Sequence, residues 1–509
     1  MNNVHCFESN RMNHEHSIAE ISAPLAAHNE WLLIHSSGNA FALKLDEIEI
    51  TLERGRIILS FLDDKGFQVW RVTDYKIEPG KLTLDLTRNF GRERERIRFV
   101  PRLSAKESGA AVELARLEKA NRLARLVIEE NPKSKLVRVA LNKENGRFTQ
   151  IIFENAGKNQ IAVLADVSEI AIPENLLTAA ILWFAKLQHR VKNPINTVWI
   201  TAEKKLYKNL RKLHALLNES WQRNILIKEI RLDAKTQKRE IADASPIAFG
   251  NLRREKPPKI SLVNSETSQT TIEIFKLAPE KIDSIFTRHG ETLRFLGLPF
   301  ARVRKTGDAE RAWFGIGRDK RILNETTRAE FFDLLENLEL YRRFDSANKR
   351  HDFFRLAPEA WLEAILRRSI NLLDGNLILS PIHNQFRAAN DKIDLLALRT
   401  DGRLIIIELK VEPDREMIFQ AIDYWRKIEL QRRSGNLQRA NIFGDLEIAD
   451  APTVVYLVAP TLSFHRDFAF LSKTVSPQIE IYRFDLNENW RENLKVMKVG
   501  KTDDETVGR

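Results

Sequence analysis

Three charged side chains interrupt an apolar stretch near the C-terminus. The segment runs Lys392-Ile393-Asp394-Leu395-Leu396-Ala397-Leu398-Arg399-Thr400-Asp401-Gly402-Arg403-Leu404-Ile405-Ile406-Ile407-Glu408-Leu409-Lys410, two apolar strands around an Asp-Gly turn. Asp394, Glu408 and Lys410 sit where charge is costly unless it is paired or bound. Two carboxylates and an ammonium suit phosphodiester cleavage. Carboxylate oxygens can hold a magnesium ion that keeps several waters. Such a metal lowers the pKa of a bound water and offsets charge developing on phosphate. A lysine beside it can hold or deprotonate that water, or stabilise the transition state. The structural alternative is a buried acid–lysine ion pair.

The acid-x-Lys triplet alone is commonplace in this chain. It recurs at Asp63-Asp64-Lys65, Asp74-Tyr75-Lys76, Glu203-Lys204-Lys205 and Asp233-Ala234-Lys235. Context sets Glu408-Leu409-Lys410 apart: it ends a strongly apolar strand, and positions 408 and 410 point to one face. Hairpin register decides whether Asp394 joins them. A two-residue Asp-Gly turn pairs Thr400 with Arg403 and turns Asp394 away from Glu408. A three-residue loop with glycine in the left-handed position pairs Arg399 with Arg403 and sets Asp394 opposite Glu408. The metal reading requires the second geometry. On the helix that follows, Gln420 and Tyr424 are four apart and share a face, while Ile418, Ile422 and Trp425 form its apolar side.

Together these residues resemble the PD-(D/E)XK nuclease superfamily over residues 357–487, and most closely the branch with an added Gln-x-x-x-Tyr helix, as in RecB-type and NucS-like nucleases. The resemblance implies an αβββαβ restriction-endonuclease-like domain that cuts DNA with Mg2+ (Mn2+ serving as well). It implies Asp394 and Glu408 as metal ligands, Lys410 beside the attacking water, and Gln420 and Tyr424 as supports. It also implies an acid from the first helix, with Glu363 of Ala357-Pro358-Glu359-Ala360-Trp361-Leu362-Glu363 preferred, in the metal shell. One departure stands out: NucS-like chains usually have glycine two residues before the Asp, and here that place is Lys392, a candidate phosphate contact.

The rest of the chain reads as an α/β and α+β multidomain protein. Residues 1–30 are expected as a tail and 31–104 as a small antiparallel β-domain. Residues 105–232 form an α/β domain whose helix–strand order matches the C-terminal one. That match makes it either a degenerate nuclease-like copy or an ordinary α/β domain of coincidental order. Ala179-Ala180-Ile181-Leu182-Trp183 would then correspond to Ala421-Ile422-Asp423-Tyr424-Trp425, and Ala165-Asp166-Val167 would have lost the acid-plus-lysine pattern. A linker over 233–258 precedes a small α+β module at 259–356, with helices expected near Pro279–His289 and Thr327–Leu338, and 488–509 reads as a tail. In the β-domain, Arg92, Arg94, Arg96 and Arg98 alternate along one strand and share a face. They are either phosphate contacts or a solvated edge.

At 509 residues and 43% apolar content, the composition suits several soluble domains. The net charge of +11 favours polyanionic partners, DNA above all. The apolar run Leu176–Ala185 is too short to span a bilayer, and no secretory signal is visible. The single cysteine, Cys6, excludes a disulfide framework and a Cys-based zinc site. A cytoplasmic protein without membrane partners is expected, with a homodimer if both strands of a duplex are cut. His351 and His383 lack a second ligand at metal-binding spacing. No glycine-rich phosphate loop points to a motor. The rival to catalysis is a catalytically silent nucleic-acid-binding or scaffold protein.

Overall fold

A computed structural model of the chain describes residues 14–36, 40–53, 55–63, 66–102, 105–168, 170–190, 193–232, 238–243, 247, 249–252, 267–287, 290–306, 309–317, 320–380 and 394–502. It is a mixed α/β multidomain protein with two compact units. The first comprises Met1–Asn209 and Asn224–Ala244, the second Leu210–Arg223 and Ser245–Arg509.

In the first unit, residues 30–101 build a seven-stranded antiparallel sheet. Alternating strands such as Lys81–Arg88 bury Leu82, Leu84 and Leu86 on one face. Its first strand, Glu30–His35, also pairs with its last, Glu93–Pro101. The expected N-terminal tail supplies a helix, His14–Ala26, whose Ile21 and Leu25 complete the core. Three apolar residues at helical spacing, Ile18, Ile21 and Leu25, were hidden among polar neighbours.

The unit continues with helix α1 (Ala105–Glu129), strands β1 (Lys135–Leu141), β2 (Phe148–Glu154) and β3 (Gln160–Asp166), helix α2 (Pro173–Gln188), and strands β4 (Val198–Glu203), β5 (Ile225–Leu232) and β6 (Arg239–Asp243). β6 lies within the expected linker and pairs antiparallel with β5.

The second unit holds a five-stranded antiparallel sheet over 282–322. The helix expected near Pro279–His289 is instead a strand, Ile282–Thr287. Ile282, Ser284 and Phe286 are buried at alternate positions, a period of two. Then come α3 (Pro358–Arg368), β7 (Leu377–Leu379), β8 (Leu395–Arg399), β9 (Leu404–Leu409), α4 (Met417–Arg433), β10 (Val454–Pro460), β11 (Glu480–Leu486) and β12 (Val496–Lys501). The expected C-terminal tail therefore supplies an edge strand, and its Trp490 and Leu494 join the core.

The α/β sheets of the two units have the same design. Each runs in simple sequential order. In each, the first two pairings are antiparallel, the next two parallel and the last antiparallel. The correspondence of element order seen in the sequence thus extends to every strand pairing. In the second unit Ile405, Ile407 and Leu409 pack with Trp361, Leu362 and Leu366 of α3. Residues 406, 408 and 410 alternate to the opposite face.

Candidate active site

The β8–β9 hairpin has the three-residue loop. Arg399 N donates to Arg403 O at 2.8 Å, and Gly402 N donates to Arg399 O at 2.8 Å. Gly402 takes φ +82°, the left-handed region open to glycine at little cost. Asp401 pairs with Arg399 across the turn. The ladder pairs Leu395 with Ile407 and Leu398 with Leu404. One further step sets Asp394 opposite Glu408, the register that the metal reading requires.

Glu408 and Lys410 are buried, 3% and 8% exposed. Lys410 Nζ lies 2.9 Å from Glu408 Oε1 and 3.6 Å from Asp414 Oδ2. Asp394 Oδ2 accepts from Leu409 N at 3.0 Å. Burial, reinforced by the Asp394 charge, pushes the Glu408 carboxyl up to about 8 despite Lys410. Burial alone would discharge Lys410, but the charges of Glu408, Glu359 and Asp414 hold its pKa above the ordinary lysine value. Glu408 Oε2 and Gln420 Oε1 are buried with no hydrogen-bond partner among the described residues. A buried oxygen left without a donor costs about 1–3 kcal/mol. Facing carboxylates with such an oxygen fit a hard divalent cation. Among the described residues, however, no three His, Cys, Asp or Glu side chains are already gathered as a metal cluster.

The acid expected from the first helix, Glu363, contacts arginines. It is 1% exposed, with Arg367 Nε at 2.7 Å and Arg294 Nη1 at 3.4 Å. Arg294 is itself clamped by Asp283 at 2.6 and 2.8 Å. Glu359, one turn earlier, is the α3 carboxylate whose charge acts on Glu408 and Lys410. Helical spacing puts both acids on one face, so the preference for Glu363 had no local basis.

α4 begins at Met417. The residues before it form a turn in which Glu416 N donates to Asp414 Oδ1 at 2.6 Å, with Asp414 near Lys410. Burial and the hydrogen bond to Asp414 push Glu416 up to about 7. Asp414 and Glu416 were missed, because the path of Val411-Glu412-Pro413 back toward Lys410 is not readable from residue types. Tyr424 is half-buried with Lys427 over its ring at 5.6 Å. Trp425 Nε1 donates to Thr453 O at 2.8 Å, tying α4 to the sheet.

Lys392 and His383 lie outside the described residues. His351 stacks on Tyr341 at 3.6 Å and caps the short helix Asp352–Arg355, a structural role. The arginine stripe is divided. Arg92 precedes the strand, Arg94 is exposed, and Arg96 grips Asp85 at 2.6 and 2.7 Å. Arg98, 8% exposed, pairs with Glu118 of α1 and serves packing within the unit.

No protein-family model matches the chain, and no curated protein does. Among solved structures the chain is similar to the apo form of EndoMS, with 11% identity, a TM-score of 0.15, and coverage of 37% of this chain and 84% of that one. A likeness at that level assigns neither fold nor activity. No described helix is long and apolar enough to cross a membrane.

Proposed function

We propose that the chain is a metal-dependent DNA endonuclease whose C-terminal domain, 357–487, is of the restriction-endonuclease-like PD-(D/E)XK type. The reading is supported by the three-residue hairpin loop, whose register carried one step past Leu395–Ile407 brings Asp394 across from Glu408, by the Asp394 charge acting on Glu408, and by Lys410 2.9 Å from Glu408 with one Glu408 oxygen left without a donor. Asp394 and Glu408 would hold Mg2+ or Mn2+, and Glu359, whose charge acts on Glu408, would extend the shell. When bound, the metal supplies an acidic water and neutralises charge on the phosphate. Lys410 is held charged, which suits it to stabilising negative charge on the attacked phosphate rather than removing a proton. Gln420, whose Oε1 is buried without a hydrogen-bond partner among the described residues, would accept from a bound water. Cutting both strands of a duplex would bring two copies together.

Labelled single-stranded, duplex, branched and mismatched DNA should be cut by the full chain with Mg2+ or Mn2+ and left intact with chelator. Failure to cut any of them under either metal would sink the reading. The silent-binder alternative draws on the Glu408–Lys410 ion pair, which satisfies one carboxylate oxygen without a metal. It expects no divalent-cation heat in calorimetry.

A further inference from the structure

We infer that the first unit binds a nucleic-acid backbone in the cleft between its seven-stranded sheet and its α/β sheet, the choice of DNA resting on the nuclease reading above. The cleft has a volume of about 2670 Å³, well beyond the roughly 300–1,000 Å³ of small-molecule sites. An open space of that size suits a polymer. Twelve lysines and arginines line it, against seven aspartates and glutamates. Most of those acids are engaged locally: Asp85 with Arg96, Glu95 with His35, Glu203 with Arg239, and Glu240 with Arg231.

Six exposed cations remain without an ion-pair partner among the described residues. Arg56, Arg71 and Arg94 come from the seven-stranded sheet, and Arg125, Lys204 and Lys205 from α1 and the chain after β4. Like charges gathered around one cleft repel and give the fold nothing, whereas each can neutralise a phosphate. A merely solvated surface would disperse such charges or pair them.

The shared sheet design adds a second, independent observation. Aligning the first rung of β3–β4, Ala162 with Val198, on that of β9–β10, Ile405 with Val454, puts Ala165 where Glu408 stands and Val167 where Lys410 stands. The first sheet thus lacks the carboxylate and ammonium of the chemistry. Yet Ala165 and Asp166, at the matching strand end, open onto the basic cleft. The geometry is that of a sheet kept for holding phosphates rather than cutting them.

The test uses the full chain in chelator, with anisotropy of labelled single-stranded and duplex DNA across a salt series. The triple variant R71A/R94A/R125A should weaken binding at least tenfold. It should also lower the slope of log Kd against log salt by about 2–3, near 0.7–0.9 per lost phosphate contact. K204A/K205A should lower it by about 1–2. The triple lysine variant R71K/R94K/R125K should bind like the parent, which separates charge from packing. Unchanged affinity and slope in variants with parental circular dichroism would overturn the proposal. Equal competition by polyglutamate at matched charge would overturn the nucleic-acid assignment. The nuclease reading fails separately: DNA bound through the cleft but never cut with Mg2+ sinks that reading and leaves this one standing.

Discussion

Glu408 makes the magnesium affinity of the site depend on pH in a window where ordinary carboxylates are silent. Its carboxyl is pushed from 4.5 to about 8 by burial and by Asp394. Below that value it holds a proton, and a metal must displace the proton to gain the ligand. With a pKa near 8, about 1% of the group is ionised at pH 6, about 10% at pH 7 and half at pH 8. Apparent Mg2+ affinity should therefore rise about 50-fold from pH 6 to pH 8 and level off above it. Lys410 stays charged throughout, since its own pKa is raised. Calorimetry in two buffers of different protonation enthalpy would show nearly one proton released per metal at pH 6.5, falling to about half a proton at pH 8. In D394N the rise should move to lower pH, because one of its causes is removed. The same proton has a stability consequence of fixed sign. Between about pH 4.5 and 8 the folded metal-free protein keeps a proton that the unfolded chain has released, so stability falls as pH rises through that window. Saturating Mg2+ should reverse the fall. A flat affinity from pH 6 to 8 with no proton release would refute the reasoning.

Two substitutions test the frame around the site. E363Q breaks the buried arginine cluster and should cost on the order of 3 kcal/mol, read as a lowered urea midpoint, with Mg2+ affinity unchanged. A large loss of metal affinity at parental stability would return Glu363 to the metal shell. G402A forces a side chain into φ +82° with its Cβ 3.1 Å from the Ala449 Cβ and backbone N. It should destabilise by about 1–2 kcal/mol, and a neutral effect would mean that the loop is not the one described.

The hairpin was legible but its register was not: Asp401-Gly402 suits either a two- or a three-residue loop, and the structure takes the three-residue one, after which period-two alternation fixes which side chains share a face. The shared element order of the two α/β sheets was legible, since element order constrains which strands can pair. The partner of Glu363 was not, because Arg294 lies 69 residues away in another module and no local pattern points to it. The alternation that placed the arginines on one face was sound, but nothing local foretold that Glu118 would draw Arg98 into packing. Residues 14–26, 239–243 and 496–501 read as tail or linker because each is short, and only tertiary contact orders them. Of the basic cleft, only Arg94 and Arg96 were flagged by the arginine stripe. Its other cations are scattered from Arg56 to Arg239 and share no local pattern.

The most direct measurement is single-turnover cleavage of labelled DNA by the parent chain and by K410A, with 10-fold excess enzyme and saturating Mg2+. The expected result is cutting by the parent and a loss of at least a hundredfold in K410A, with the circular dichroism spectrum and DNA affinity unchanged. Equal cleavage by both proteins would contradict the assignment of the Asp394–Glu408–Lys410 site as the seat of catalysis.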